Sequence, residues 1–226
     1  MRRRRWRSCG TRGPGPGASG RSWGTEGWSL SPEGSARGLP EGARFAVLAS
    51  GSGTNLQALL DAYREHCAVV AGDKEGAYAF ERARRAGVPA EHVEPRSFGS
   101  RKAYDAALAD RVAAYDVGLV VGAGYMRVLT PAFLERFPAV INVHPSLLPR
   151  FKGLHAIPRA LESGEEETGV TVHYMVEEVD AGPGIRQEAV PILPGDTEET
   201  LHERLRPVEH RLLVEAVADH FLGGAK

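Results

Sequence analysis

Asn142 and His144 stand two residues apart in the run Ala139-Val140-Ile141-Asn142-Val143-His144-Pro145-Ser146-Leu147-Leu148-Pro149. The apolar part reads as a strand, and residues two apart on an extended chain face the same side. An amide and an imidazole so placed can converge on one substrate atom. The amide can donate to developing negative charge, and the imidazole can donate or carry a proton. Pro145 and Ser146 end the strand and open a loop, where binding and catalytic groups concentrate. A histidine after a strand is more commonly structural, so the spacing alone leaves both readings open.

A second stretch has chemistry of its own. Phe45-Ala46-Val47-Leu48-Ala49 reads as a buried strand, followed at once by Ser50-Gly51-Ser52-Gly53-Thr54-Asn55 and then by Leu56, Leu59 and Leu60 at helical spacing. A strand, a glycine turn and a helix start together present backbone N–H groups and a helix dipole to an anion. The loop has no lysine, which argues against the nucleoside-triphosphate version. Leu56 stands where the dinucleotide version wants its third glycine. A single phosphate monoester suits the loop better, with a tight structural turn as the alternative.

The elements that must position these groups follow in order. Cys67–Ala71 is predicted as a strand, Ala77–Ala86 as a helix ending at Gly87, and Val88–Glu94 as a third strand. Ser100 caps a helix over Lys102–Tyr115, and Asp116–Val121 is an apolar fourth strand that runs into Gly124-Tyr125-Met126-Arg127. Thr130-Pro131 opens a short helix before the fifth strand, Ala139–Val143. Pro158–Ser163 is predicted as a helix, and Thr168–Val176 and Ile185–Ile192 as strands joined by a turn, the second antiparallel. Asp196 or Thr197 caps a final amphipathic helix to about Phe221. The alternation implies an α/β fold: a Rossmann-like, mostly parallel central sheet with helices on both faces and an antiparallel C-terminal strand. Ligands bind beyond the carboxyl ends of such strands, where the glycine loop, the Met126 segment and the His144 loop all fall.

Composition narrows the class. The chain has 226 residues, enough for one domain with an appendage, and its two cysteines support neither a disulfide framework nor a structural zinc site. Residues 1–43 are rich in Gly, Pro and Ser, with arginines leading, and are expected to be a disordered extension or the product of a misassigned start; the domain is expected over 44–222. No apolar run follows those arginines as an export signal requires, and none approaches the ~20 residues that span a bilayer. Through Arg44 the balance is +6, and beyond it −7. An acidic body argues against wrapping nucleic acid. Small-molecule substrates, no nucleic acid, no membrane, a cytoplasmic location and a monomer or homodimer are the expectations.

The segments Gly51-Ser52-Gly53-Thr54-Asn55-Leu56-Gln57, Gly124-Tyr125-Met126-Arg127, Asn142 to Pro149 and Asp180-Ala181-Gly182-Pro183 occur in that order. Together with Lys152-Gly153-Leu154-His155, they make the chain resemble the phosphoribosylglycinamide formyltransferases over about residues 44–222. The resemblance implies transfer of a formyl group from 10-formyltetrahydrofolate to the amine of glycinamide ribonucleotide in purine synthesis, without a metal. It implies a catalytic trio of Asn142, His144 and Asp180. It assigns the ribonucleotide to Gly53, Thr54, Asn55, Arg206, Pro207, Val208 and Glu209. It assigns the folate to Arg101, Met126, Arg127, Val128, Leu129, Asn142, Val176, Glu177, Glu178, Val179 and Asp180, with His173 supporting the site from behind. Two departures stand out: the Leu60–Val69 link is short, so the second strand is expected to be trimmed or shifted, and Gly72-Asp73 replaces an expected Ser-Asn-like pair.

On the implied chemistry the amine adds to the formyl carbon. Asn142 donates to the resulting oxyanion, and His144, kept cationic by Asp180, passes a proton to the leaving nitrogen. Three rivals remain: a methionyl-tRNA formyltransferase, which would want a further C-terminal domain and a basic surface; a formyltetrahydrofolate hydrolase with a regulatory N-terminal domain; and a non-catalytic nucleotide-binding regulator. The other histidines, His66, His92, His202, His210 and His220, are expected at the surface.

Overall fold

The computed structural model describes residues 38–223, so the expectation for the N-terminal extension lies largely outside the described residues. Seven strands form one sheet in the order β3-β2-β1-β4-β5-β6-β7. They are β1 (Phe45–Leu48), β2 (Cys67–Gly72), β3 (Ala90–His92), β4 (Leu119–Gly122), β5 (Val140–His144), β6 (Glu167–Tyr174) and β7 (Gly184–Pro191). The helices are α1 (Thr54–Tyr63), α2 (Tyr78–Arg85), α3 (Arg101–Ala113), α4 (Pro131–Leu134), α5 (Ala156–Glu162) and α6 (Glu198–Leu222). β1 to β5 pair in parallel, β6 runs antiparallel to β5, and β7 runs antiparallel to β6. The reversal therefore begins at β6, one strand earlier than the sequence pattern indicates.

The apolar strand residues divide by parity, as a two-sided sheet requires. Phe45 and Val47 of β1 pack on one face with Leu56 and Leu59 of α1, Phe80 of α2 and Leu205 and Leu213 of α6. Ala46 and Leu48 pack on the other face with Tyr104 and Leu108 of α3 and Phe133 of α4. Leu39 and Ala43, ahead of the expected start, also join the first core. Burying each Leu or Phe side chain contributes about 1.5–3 kcal/mol.

The short link after α1 does not trim β2. A 3₁₀ turn at Arg64–His66 leads straight into a full six-residue strand. The cost is a one-residue slip: Phe45 pairs with Cys67 but Ala46 pairs with Val69. Cys67 and Val69 consequently point to opposite faces although they are two apart. Burial pushes the Cys67 thiol up to about 12, leaving it an inert core group.

α6 starts as its sequence signals. Thr197 caps it, and its hydroxyl and that of Thr200 bond reciprocally to backbone N–H groups. Pro207 lies inside this helix and lacks the N–H that would bond the carbonyl one turn back. No described helix is long and apolar enough to cross a membrane. Of the five histidines expected at the surface only His202 is exposed; the other four are half-buried, and His66 Nδ1 lies 2.9 Å from the Ala43 carbonyl.

Candidate active site

Asn142 and His144 leave β5 on the same face, and Asp180 reaches them from the turn between β6 and β7. Asp180 adopts φ 49°, a left-handed conformation that Asp tolerates better than most residues. Its Oδ2 lies 3.3 Å from His144 Nδ1 and accepts from Gly153 N–H at 2.8 Å; its Oδ1 lies 3.4 Å from His173 Nε2. One carboxylate thus bridges two imidazoles. Burial pushes the Asp180 carboxyl up. The hydrogen bonds from His173 and the Gly153 N–H, with the charges of His144 and His173, outweigh burial and hold it below its ordinary value.

The remaining nitrogens constrain the tautomers. His144 Nε2 lies 3.0 Å from the Phe151 carbonyl, and His173 Nδ1 lies 2.9 Å from that of Tyr174. A carbonyl only accepts, so both of these nitrogens carry protons. A proton on His144 Nδ1 then makes a cationic ring facing the Asp180 carboxylate. Asn142 Nδ2 lies 3.5 Å from His173 Nε2, at the limit of a hydrogen bond.

The loop after β5 is held from beneath. Thr171, paired with His144 across β5 and β6, donates its hydroxyl to the Ser146 carbonyl at 2.7 Å. The same oxygen accepts from Leu148 N–H at 3.1 Å and from Gln187 Nε2 at 2.8 Å. This side chain has no spare hydrogen-bonding capacity, and it fixes the path of the loop that follows His144.

The trio opens onto a cavity of about 260 Å³. Met126, Arg127, Val128, Leu129, Asn142, Val176, Val179 and Asp180 line it, as does His173. Met126, Val128, Leu154, Val176 and Val179 are large apolar side chains left exposed at this one mouth, Leu154 at 70%. An exposed apolar rim of this kind marks a binding surface. Leu129 is only 1% exposed, and its side chain belongs to the core.

Three residues assigned to the folate do not line the cavity. Arg101 is exposed at the first position of α3, and Glu177 is exposed. Glu178 points outward and pairs with Lys152 at 3.2 Å. Leu154, Tyr125 and Met175 line the cavity without a sequence signal that assigns them to it. Leu154 sits inside the Lys152–His155 motif, and only the fold shows that its side chain is exposed.

The glycine loop forms a separate subsite. Gly53 is the N-cap of α1 at φ 70°, and no side chain caps this helix. The first-turn N–H groups therefore remain available to an anion. A Cβ on Gly53 would lie 2.9 Å from Ala79 Cα, a backbone atom that cannot swing aside. Gly53→Ala is expected to cost about 1–2 kcal/mol from the left-handed backbone alone. Thermal unfolding should record this as a fall in Tm of roughly 2–8 °C.

Asn55 ties this loop to α6: its Nδ2 donates to Glu209 Oε2 at 3.1 Å, while its buried Oδ1 has no hydrogen-bond partner. Burial pushes the Glu209 carboxyl up, opposed by the Asn55 bond and by the charges of His202, Arg206 and His144. Arg206 is half-buried, Pro207 is exposed, and Val208 packs against the core instead of facing the loop. Among the described residues no group of three or more His, Cys, Asp and Glu side chains is disposed to hold a metal ion.

Known proteins resemble this chain in sequence and in fold. A family model described as Formyl transferase matches residues 43–217. A phosphoribosylglycinamide formyltransferase of Mycobacterium tuberculosis is 47% identical over 181 residues, covering 78% of this chain and 84% of that protein. The crystal structure of glycinamide ribonucleotide transformylase 1 from Symbiobacterium toebii superposes with a TM-score of 0.79 at 51% identity, covering 80% of this chain and 88% of that one. The trifunctional purine biosynthetic protein adenosine-3 of Drosophila melanogaster is 44% identical over 183 residues, of which this chain spans only 14% of the length. The chain belongs to the phosphoribosylglycinamide formyltransferase family.

Proposed function

We propose that the chain, through a catalytic body over residues 44–222, transfers a formyl group from 10-formyltetrahydrofolate to the amine of glycinamide ribonucleotide. The observation that carries this reading is the meeting of Asn142, His144 and Asp180 at the mouth of a cavity rimmed by apolar side chains. A flat, largely apolar ring system with a polar edge fits that cavity. When bound, 10-formyltetrahydrofolate supplies the one-carbon unit.

The chain's own groups have separable tasks. The α1 N-terminus at Gly53, Thr54 and Asn55 holds the phosphate, and Glu209 accepts a hydrogen bond from a ribose hydroxyl. Arg206 contributes positive charge beside them. Asn142 donates through Nδ2 to the formyl oxygen as negative charge develops there. The His144 imidazolium adds a second donor and, as the bond from the formyl carbon to the folate nitrogen breaks, releases a proton to that departing nitrogen. The amine, now bonded to the formyl carbon, gives up one proton to the His144–Asp180 pair, which restores the imidazolium. Asp180 stabilises that imidazolium and stays ionised at neutral pH because its carboxyl titrates below the ordinary range. His173 carries a proton on Nδ1, held by the Tyr174 carbonyl, and its Nε2 faces Asp180 Oδ1 at 3.4 Å, which orients the carboxylate.

The direct test is a spectrophotometric assay for tetrahydrofolate release. Release that depends on added ribonucleotide is expected. Equal release without ribonucleotide would replace this reading with hydrolysis. Stoichiometric ribonucleotide binding with no release would leave a regulator.

A further inference from the structure

We propose that the buried Ser50–Asp73 pair is a positioning device for the formyl-folate, holding the backbone at Met126 where the cavity lip begins. The assignment of that lip to the folate rests on the proposed function; the tether itself does not. Ser50 leaves β1 and opens the glycine loop, and its side chain is buried at 2% exposure. Asp73 follows β2 and is 8% exposed. Ser50 Oγ donates to Asp73 Oδ1 at 2.6 Å and accepts from Met126 N–H at 3.0 Å. Ser50 N–H also donates to the Gly124 carbonyl at 3.2 Å.

The direction of these bonds follows from proton counting. A hydroxyl has one proton, and the carboxylate can only accept. With that proton committed to Asp73, Ser50 Oγ presents lone pairs to the Met126 amide. Without Asp73 the hydroxyl is free to rotate, and the Met126 N–H competes for an acceptor that is no longer oriented. The bond to an ionised carboxylate is also the stronger kind.

The preceding residue completes the arrangement. A side chain on Gly72 would run into the Ala49 carbonyl, forcing β2 away from β1 and carrying Asp73 out of reach of Ser50. Gly72-Asp73, the pair that departs from the expected pattern, is therefore accounted for as a unit. Ser50 joins the ends of β1, β2 and β4: its hydroxyl ties Asp73 to the Met126 amide, while its backbone N–H, which an alanine keeps, holds the Gly124 carbonyl.

Amide hydrogen exchange on the unliganded protein reads the tether directly. In Ser50→Ala and Asp73→Ala the Met126 N–H is expected to exchange at least about tenfold faster, while Val120 and Val121 in β4 keep their protection. That internal reference separates local release from general destabilisation. In steady state the KM for formyl-folate should rise about tenfold in both variants, with kcat and the ribonucleotide KM changed less than about twofold. Asp73→Asn keeps an acceptor oxygen and should restore the folate KM to near the wild-type value. Unchanged Met126 exchange overturns the proposal. Faster exchange with an unchanged folate KM also overturns it, as does an equal rise in both KM values. A wild-type protein without turnover would refute the reaction instead, and Met126 exchange would still decide the tether.

Discussion

His144→Ala is expected to lower kcat by about 10²–10⁴, the range associated with removing a positioned general acid. The KM values should move far less, because the apolar rim at Met126, Leu154 and Val179 and the α1 N-terminus remain intact. The truncation removes two contacts, Nε2 to the Phe151 carbonyl and Nδ1 to Asp180, so some loss of stability accompanies it. Asp180 keeps its Gly153 and His173 partners and is not left as a bare buried charge. Asn142→Ala, which deletes an oxyanion donor, should cost about 10²–10³ in kcat. The double variant should fall well short of the product of the two effects, since both groups act on one developing charge. The measurement is kcat and KM for each substrate in the three variants, with circular dichroism to establish folding. A His144→Ala protein retaining a tenth or more of wild-type kcat would remove His144 from the chemistry.

Asn142 and His144 owe their shared placement to a local signal that the amino-acid sequence carries by itself. Their period-two spacing on an apolar run predicts a common face, and β5 delivers both to it. The glycine loop is equally legible, because a strand, a left-handed glycine and a helix start lie consecutively in sequence. What the sequence hides is whatever depends on the third dimension. Asp180 lies 36 residues beyond His144, and only the antiparallel return of β6 brings its turn back over β5. From spacing alone Val208 and Glu209 are neighbours on a helix, yet one packs into the core and the other reaches Asn55. The same limit applies to Met126–Leu129, where Met126 is 62% exposed and Leu129 is 1% exposed. A short link between α1 and β2 looks like a missing piece of strand. The chain absorbs it in a 3₁₀ turn and a one-residue bulge, which only the pairing register reveals.

Asp180→Asn gives the second large effect, and here pH provides the diagnosis. Asparagine retains the shape and tolerates the left-handed backbone at φ 49°, whereas alanine would add strain. The variant therefore removes charge with little change of path. A loss of about 10²–10⁴ in kcat at neutral pH is expected, because a cationic His144 loses the carboxylate 3.3 Å from Nδ1. Without that carboxylate the His144 ring loses the acceptor and counter-charge facing Nδ1, so the pH profile of the remaining activity should differ from that of wild type. The stability effect has a pH dependence of its own. Asp180 titrates lower in the folded chain than its ordinary value, so its contribution is fully present above the unfolded value near ~3.9. It is lost as pH falls through the folded value. The gap in unfolding free energy between wild type and Asp180→Asn should thus be widest near neutral pH and close on acidification below about pH 4. Denaturant melts at several pH values read that gap, and the pH profile of kcat reads the catalytic part. A variant with a wild-type pH profile would show that Asp180 supports the fold without controlling the proton on His144.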